Sequence, residues 1–496
     1  MKNIEVISKS EIIEITSDPL SIYNGLKDFY DESDIFLLES MSGPAKDCNN
    51  SIIAFDPLLT LKVNEDAFSL TGNEVLIDFV CKNQALLPFT IQNNCGVIKD
   101  GNELIELLRI IETLFIVKKE GVLSDIKFGF FGYFGYDTVF YFEKIKSSLV
   151  RNKGLSTIHL TIYRSIINID IKKGLVALTT NFSECFSERD FKTIINHINS
   201  SDVKEKNSDT IVSASLPTIT RDEYYSWFEK AKYHIEIGDV YQIQLGHELY
   251  IESTAEPYEV YLRMRRLNPS PYMYFFKTTE EVYVIGASPE LFVSLSTERI
   301  ISMRPIAGTI SNSSDLTIKE ANKHALISNE KENAEHLMLV DLCRNDISKV
   351  CLPTSLIVND LMLTEEYSHV IHLVSQVTGK LLEKYDKYDV LKAAFPAGTM
   401  TGTPKIKAMQ LIEETEFSPR GIYAGCVGYF GFDDFMISAL CIRTAIYLDG
   451  KYVIRASGGI VEDSSKQGEW EETINKLGST YLAISGKELR DEVFIN

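Results

Sequence analysis

Short apolar runs that alternate with helical patterns constrain the fold of this chain more than any other feature of its sequence. Strands, marked by β-branched and aromatic residues, are predicted at 35–38, 51–55, 158–169, 175–180, 282–285, 291–295, 425–430, 436–445 and 452–455. Helices, marked by apolar periodicity, are predicted at 103–115, 189–198, 320–350, 387–394 and 405–413. Long helices combined with many strands predict a large α/β or α+β sandwich.

A polar segment without apolar periodicity, 199–209, interrupts this pattern and is typical of a linker. A helix is predicted to begin shortly after it, because Thr220 is a suitable N-cap and Glu223, three residues later, completes a capping box. These features divide the chain into a domain at 1–198, a linker at 199–218 and a second domain at 219–490.

Length and composition fit a globular protein. The chain has 496 residues, of which 45% are hydrophobic and 24% are charged. It has no run of about 18 uncharged apolar residues, and its first residues lack the apolar stretch of a signal peptide. The eight cysteines form no close CxxC pair, which favours free thiols in a reducing compartment. We therefore expect a cytoplasmic protein.

The formal net charge of −20 argues against nonspecific nucleic-acid binding, which needs clustered lysine and arginine. The same charge would repel an anionic substrate. A divalent cation would remove this difficulty, because the metal becomes the largest local charge in its site. The charge thus excludes nucleic acid but leaves small anions open as ligands.

Three motifs in the second predicted domain occur in combination. They are GDVYQIQL at 238–245, RPIAGT at 304–309 and EHLMLVD at 335–341. Through them, residues 220–483 resemble the catalytic domain of the chorismate-utilising enzymes, and the first half resembles the N-terminal domain of that family more weakly. The resemblance implies an α+β fold in which two antiparallel sheets form a large sandwich with helices outside. It also implies an N-terminal regulatory domain packed on the catalytic domain.

Two pairs of glutamates have the spacing of one helix face: Glu332 with Glu335, and Glu469 with Glu472. Taken alone, such a pair more often marks a solvated helix face. If the two pairs converge, their carboxylates offer the hard oxygen ligands that suit Mg²⁺. The family resemblance implies that Glu335 and Glu472 hold Mg²⁺, while Glu332 and Glu469 orient water and ligand.

A dicarboxylate such as chorismate needs hydrogen-bond donors, and the planar guanidinium of Arg443 matches a carboxylate. The resemblance implies that Arg443 binds the enolpyruvyl carboxylate and that Tyr429, on the neighbouring strand, adds a hydroxyl donor. A glycine turn is expected at Ser457, Gly458 and Gly459, whose backbone N–H groups can approach an anion. By resemblance, further substrate contacts are expected at Lys476, Gly308, Thr309 and Gly398.

Four positions bear on the reaction. Gln242 occupies the position of the lysine base in water-adding members of the family, and glutamine cannot take a proton at neutral pH, so amination is favoured. Ala307 occupies the position of the lysine that many aminodeoxychorismate synthases use as a nucleophile. The resemblance assigns His372, with its neighbour Thr399, to the elimination of pyruvate. Together these residues imply a resemblance to the large component of anthranilate synthase.

A partner and a regulator are also implied. The chain lacks the Gly-x-Cys-x-Gly elbow and later His-x-Glu of a glutamine amidotransferase. The resemblance therefore implies a separate amidotransferase subunit that supplies ammonia, in a complex with two of each chain. It also implies feedback inhibition by tryptophan. The tryptophan-binding residues would be Leu38, Glu39, Ser40, Pro271, Tyr272 and Met273, although a strand end and a plain turn would explain both segments as well.

Three other functions stay open at this stage. One is an aminodeoxychorismate synthase, against which Ala307 argues. Another is a synthase that stops at aminodeoxyisochorismate, against which His372 argues. The last is a tryptophan-sensing protein without catalytic activity, against which the four glutamates and Arg443 argue.

Overall fold

A computed structural model shows how these elements pack. It describes residues 3–15, 18–44, 48, 50–83, 89–121, 124–151, 154–199, 210–367 and 370–494. Part of the predicted linker, 200–209, lies outside the described residues. Within the described residues, no helix is both long enough and apolar enough to cross a membrane.

The strands are rich in β-branched and aromatic residues, which suit a pleated, buried surface. In chain order they are β1 (Ile4–Ile12), β2 (Ile35–Glu39), β3 (Asn50–Asn64), β4 (Ala67–Gly72), β5 (Cys95–Val97), β6 (Phe115–Glu120), β7 (Gly129–Phe134), β8 (Ile158–Asp170), β9 (Leu175–Phe182), β10 (Val212–Pro217), β11 (Gln242–Ser253), β12 (Tyr272–Lys277), β13 (Tyr283–Ser288), β14 (Leu291–Leu295), β15 (Ile300–Met303), β16 (Ile306–Ser311), β17 (Ile357–Glu366), β18 (Val370–Lys380), β19 (Gly402–Thr403), β20 (Cys426–Gly431), β21 (Met436–Leu440), β22 (Thr444–Leu448) and β23 (Lys451–Ile460).

Several helices begin at a side chain that accepts a backbone N–H of the first turn, as Asp100, Asn329 and Ser465 do. The helices are α1 (Pro19–Lys27), α2 (Glu74–Lys82), α3 (Gly101–Thr113), α4 (Val139–Phe142), α5 (Phe191–Asn199), α6 (Arg221–Glu236), α7 (Pro257–Leu267), α8 (Leu316–Ile327), α9 (Glu330–Ser348), α10 (Lys387–Ala394), α11 (Lys405–Thr415) and α12 (Lys466–Ser485).

The long strands β3 and β8 pair with each other, and a series of antiparallel strands extends from each of them. One series begins with β7 beside β8 and the other with β2 beside β3, and the two series form two layers. The first layer continues through β7, β20, β21, β14, β15 and β18, and β18 also pairs with β16 and β17. The second layer continues through β2, β12, β13, β22, β23 and β11, and β11 also pairs with β10 and β19.

Aromatic side chains from both layers meet between them, so the layers face each other. The rings of Phe36 (β2) and Phe131 (β7) are 5.9 Å apart, and those of Tyr133 (β7) and Phe276 (β12) are 6.1 Å apart. Two larger apolar clusters fill the outer faces, where helices cover each layer. The expected two-layered α+β sandwich is confirmed.

Strands of the first half pair with strands of the second half, through β2–β12 and β7–β20. The division into two domains stays a prediction, but the sheet is continuous across it. The capping box is confirmed: Thr220 Oγ1 accepts the N–H of Glu223 at 3.3 Å, and Glu223 Oε2 accepts the N–H of Thr220 at 2.7 Å.

Three sequence predictions are corrected. The end of the predicted linker is wrong, because Val212–Pro217 is a strand paired with β11. The helix predicted at 320–350 is two helices, because Asn329 leaves helical geometry to cap α9. The strand predicted at 436–445 is interrupted at Arg443, whose φ of 51° belongs to the left-handed region.

Candidate functional site

The carboxylates of α9 and α12 converge. Burial raises the pKa of Glu335, and the neighbouring carboxylates of Glu332 and Glu472 raise it further. Burial also raises the pKa of Glu469 to about 7, again with a contribution from Glu472. Carboxylates that raise one another's pKa lie close together, because each disfavours a second negative charge. The structure thus brings together the four glutamates that the helical spacing singled out.

Gln242, the first residue of β11, contacts this cluster. Its Nε2 donates a hydrogen bond to Oε1 of Glu335 at 2.8 Å. The side chain is 1% exposed, and its Oε1 has no hydrogen-bond partner among the described residues. The amide therefore orients a carboxylate with its donor and keeps a buried acceptor available for a ligand.

A β-bulge at Gly308 positions His372. The register of β16 against β18 shifts between Ala307 and Thr309, and Gly308 has a φ of 65°. Its carbonyl accepts a hydrogen bond from Nδ1 of His372 at 3.0 Å, and Oγ1 of Thr309 lies 3.1 Å from the same nitrogen. Burial lowers the pKa of His372, so the ring is neutral near pH 7. With the proton on Nδ1, Nε2 is a free base.

Arg443 lies at the break between β21 and β22, in a left-handed backbone conformation that residues other than glycine rarely adopt. Its guanidinium makes no hydrogen bond or ion pair with any described residue. Burial lowers its pKa, while Tyr423 and Glu472 act in the opposite direction, and its charge in turn helps to lower the pKa of His372. A half-buried guanidinium without an ion pair in the described part of the chain, beside a tyrosine and a histidine, is suited to an anionic ligand.

The glycine turn predicted at 457–459 is wrong, because these residues lie inside β23 and pair with β11. Glycine is needed at 459 for space: a Cβ there would lie 2.6 Å from Nε2 of Gln244 and 3.1 Å from Nε2 of Gln242. Lys476 donates to the carbonyl of Ser457 at 2.9 Å and pairs with Glu472. Lys476 therefore links the carboxylate cluster to β23.

The predicted role of Tyr429 as a substrate donor is wrong. Its side chain is fully buried between the layers, where its hydroxyl donates to the Phe128 carbonyl at 3.0 Å and accepts the Lys127 N–H at 3.2 Å. The tyrosine that lies near Arg443 is Tyr423, in the loop before β20. The sequence could have indicated Tyr423, because it precedes a predicted strand and loops carry binding residues more often than strand interiors do.

Sequence reasoning also missed Glu290, between β13 and β14. The side chain is 8% exposed, and burial raises its pKa to about 8. Oγ1 of Thr399, on the short helical turn Gly398–Met400, donates to its Oε1 at 3.4 Å. The Glu290 carboxyl is therefore protonated near neutral pH and can deliver a proton. A raised pKa depends on burial, which a sequence does not show.

Residues 84–481 match the family of chorismate binding enzymes. The chain belongs to this family. It is 38% identical over 478 residues to the 2-amino-4-deoxychorismate synthase of Streptomyces globisporus, with 95% of each chain covered. It is 40% identical over 375 residues to anthranilate synthase component 1 of Aquifex aeolicus, covering 73% of this chain and 76% of that one. It also superposes on the crystal structure of anthranilate synthase component I from Streptococcus pneumoniae TIGR4, with a TM-score of 0.70, 31% identity and coverage of 87% and 92%.

The carboxylate cluster of this chorismate-binding enzyme fits a magnesium ion. The described part of the chain holds no ready-made metal-binding group of three or more His, Cys, Asp or Glu side chains. Mg²⁺ needs fewer protein ligands, because it keeps waters and takes substrate oxygens. Mutually repelling carboxylates and a buried Oε2 of Glu469 that lacks a described hydrogen-bond partner both fit a cation. Glu335 and Glu472 are the expected ligands.

The two segments predicted to bind tryptophan lie side by side. Strand β2 pairs with β12 so that Glu39 stands opposite Met273, and Oγ of Ser40 donates to the Pro271 carbonyl at 2.7 Å. The Glu39 carboxylate is 3% exposed. It accepts hydrogen bonds from Nη2 of Arg265 at 2.7 Å and from the hydroxyl of Tyr261 at 2.7 Å. In this structure the carboxylate predicted to meet an ammonium group is paired with a guanidinium.

Proposed function

We propose that this enzyme aminates chorismate at C2 with ammonia and then eliminates pyruvate to give anthranilate. The observation that carries the proposal is the neutral His372, whose Nδ1 bonds to the Gly308 carbonyl and whose Nε2 is free to act as a base. The sequence and structural similarity to anthranilate synthase components supports the same reaction.

Substrate binding uses groups without partners in the described part of the chain. Arg443 offers a bidentate contact to one carboxylate of chorismate, and Tyr423 offers a hydroxyl beside it. A bound Mg²⁺ would hold the other carboxylate and act as a Lewis acid, with Glu335 and Glu472 as its protein ligands. The net charge of −20 then does not exclude a dianionic substrate.

The amination needs no protein base. Ammonia attacks C2, both ring double bonds shift by one position, and the C4 hydroxyl leaves as water after it takes a proton from Glu290, whose pKa of about 8 keeps it protonated. The new ammonium group then gives up a proton, which restores the carboxyl group. Gln242 cannot activate water, but its unpaired Oε1 accepts an N–H of the nucleophile.

The elimination restores aromaticity. Nε2 of His372 takes the proton from C2, the electron pair enters the ring, and the bond between C3 and the enolpyruvyl oxygen breaks. The departing enolpyruvate gains a proton on carbon and becomes pyruvate. Thr309 helps to orient the imidazole of His372, because its Oγ1 lies 3.1 Å from Nδ1.

We propose that ammonia comes from a separate glutamine amidotransferase subunit, in a heterotetramer with two of each chain, because the relatives are component 1 chains of two-component enzymes. Tryptophan is the proposed feedback inhibitor, because the two segments predicted to bind it, 38–40 and 271–273, lie side by side where β2 pairs with β12. Its ammonium group would have to share Glu39 with Arg265.

A second candidate is a synthase that stops at the amino adduct. The similarity to the Streptomyces globisporus enzyme over 95% of both chains favours it. Product analysis decides between the two: the enzyme is incubated with chorismate, Mg²⁺ and ammonium at alkaline pH. Fluorescent anthranilate with one pyruvate per turnover is expected. A non-aromatic adduct without pyruvate would exclude the first candidate, and no nitrogen-containing product would exclude both.

A further inference from the structure

His372 lies in a row of three residues that crosses three neighbouring strands. It stands opposite Thr309 where β16 pairs with β18, and opposite Glu365 where β17 pairs with β18. Residues directly opposite each other on antiparallel strands project to the same face, with their Cβ atoms about 5 Å apart. Thr309 contacts Nδ1 of the ring at 3.1 Å. Glu365 therefore lies on the same face as the ring of His372, on its other side.

The next residues along both strands face α8. Ile371 packs with Leu326 of α8 in an apolar cluster, and Glu366 is exposed and forms an ion pair with Lys319 of α8 at 2.8 Å. Side chains alternate between the two faces of a strand. Strand β17 thus presents Glu365 to the histidine and Glu366 to α8, so two adjacent glutamates have different surroundings.

Arg304 holds Glu365 in this place. Its Nη2 donates to both Oε1 and Oε2 of Glu365, each at 2.7 Å. The two side chains are 6% and 11% exposed. A guanidinium favours the charged form of a carboxylate close to it and restricts its orientation. Glu365 is therefore a fixed negative charge beside the ring.

The charges around His372 oppose one another. Burial lowers the pKa of His372, the hydrogen bond to the Gly308 carbonyl raises it, Arg443 lowers it and Glu365 raises it. Glu365 is thus the carboxylate that favours the protonated ring. Other charged or titratable side chains on the elements packed around this part of β18 include Arg304, Tyr367, Glu332 and His336 of α9, and Lys319 and Lys323 of α8, which pair with Glu366.

We propose that Glu365, held by Arg304, is a positioning residue that stabilises the imidazolium formed when His372 takes the C2 proton. This inference rests on the proposed function, because it concerns the elimination of pyruvate. The C2 proton moves to Nε2 and the ring of His372 gains a positive charge, while Glu365 keeps its negative charge and takes no proton. The transition state is favoured because the cation develops next to a carboxylate that is already oriented.

Glu365→Gln tests the proposal, and Glu366→Gln is the matched control on the other face of the same strand. NMR of the whole chain with ¹³C-labelled histidine measures the pKa of His372, whose signal is assigned by its loss in His372→Asn. In Glu365→Gln this pKa should fall by about one pH unit, because a nearby opposite charge favours the charged form. Glu365→Asp should restore most of the fall, and Glu366→Gln should leave the pKa unchanged.

The Glu365→Gln variant should also slow elimination without weakening substrate binding. The ratio of released amino adduct to anthranilate should rise roughly three- to tenfold, because a base weaker by one pKa unit removes the C2 proton more slowly. The KM for chorismate should keep its wild-type value, because Arg443 and the carboxylate cluster are unchanged.

The outcomes separate this role from the proposed function. A wild-type enzyme that forms no anthranilate defeats the proposed function, and the NMR titration still tests the coupling of the two side chains. A wild-type enzyme that forms anthranilate overturns the role of Glu365 alone if the pKa of His372 is the same in Glu365→Gln, or if it shifts equally in Glu366→Gln.

Glu365→Gln leaves Arg304 buried without its partner, so this variant could fail to fold. The double variant with Arg304→Met then decides, because it has no lone buried charge. A fall in the pKa of His372 in the double variant supports the role of Glu365, and an unchanged pKa overturns it.

Discussion

Identical residue types occupy two regions of this molecule in opposite environments. Where β2 meets α7, Glu39 is paired with Arg265 and Tyr261. In the candidate site, Glu335 faces other carboxylates, and Arg443 has no hydrogen bond or ion pair in the described part of the chain. Paired buried charges are tolerated in a fold, whereas like charges and lone charges raise its free energy until a ligand arrives. Pairing, more than residue type, therefore identifies the binding site.

The largest effect is expected for Glu335→Gln. Losing one ligand of the proposed metal should lower kcat/KM by roughly a thousandfold, because metal assistance contributes several kcal/mol to the transition state. The melting temperature should stay constant or rise, since one repelling charge is removed. Steady-state kinetics and calorimetry measure both. The control is Glu471→Gln, which changes an exposed glutamate next to Glu472 on α12. A large loss of stability in Glu335→Gln would contradict its role as a metal ligand.

Arg265→Met should affect stability instead. It leaves Glu39 buried without its cation, so the free energy of unfolding should fall by about 3–5 kcal/mol. Chemical denaturation measures this change. In the double variant with Glu39→Gln, most of the loss should be recovered, because no charge is then left unpaired. An equal loss in both variants would show that packing of the arginine, and not its charge, matters.

The pH dependence of the amination rate should reflect the protonation of Glu290. Its carboxyl must be protonated to donate, so amination should decline as the pH rises through about 8, by about tenfold per pH unit. The rate must be measured at constant free ammonia, with total ammonium adjusted at each pH. Glu290→Gln should be slower and lack this basic limb. A basic limb that persists in Glu290→Gln would assign it to another group.

The smallest effects should distinguish two tyrosines. Tyr423→Phe should raise the KM for chorismate by about tenfold, as expected for a lost hydrogen bond to a charged group. Tyr429→Phe should leave that KM unchanged and lower the free energy of unfolding by about 1 kcal/mol, because its hydroxyl bonds only to backbone. The reverse pattern would restore Tyr429 as a substrate contact.

Local patterns determined part of this protein directly. The spacing of Glu332 with Glu335 and of Glu469 with Glu472 is a property of one helix turn, so it could be read without knowing the fold. The capping box at Thr220 and most strand positions are local in the same sense. The large two-layered α+β sandwich followed from the family motifs together with the number of strands and helices.

Only the tertiary structure decided which side chains come together in the candidate site. Tyr423 and Tyr429 are six residues apart, and the facing of the two layers places one beside Arg443 and the other in the core between them. The same holds for Gly459, which lies in a strand because β11 pairs with it, and for Glu290, whose pKa depends on burial by distant segments. Sequence periodicity extends over a few residues, whereas register between strands, burial and charge pairing arise from segments far apart in the chain.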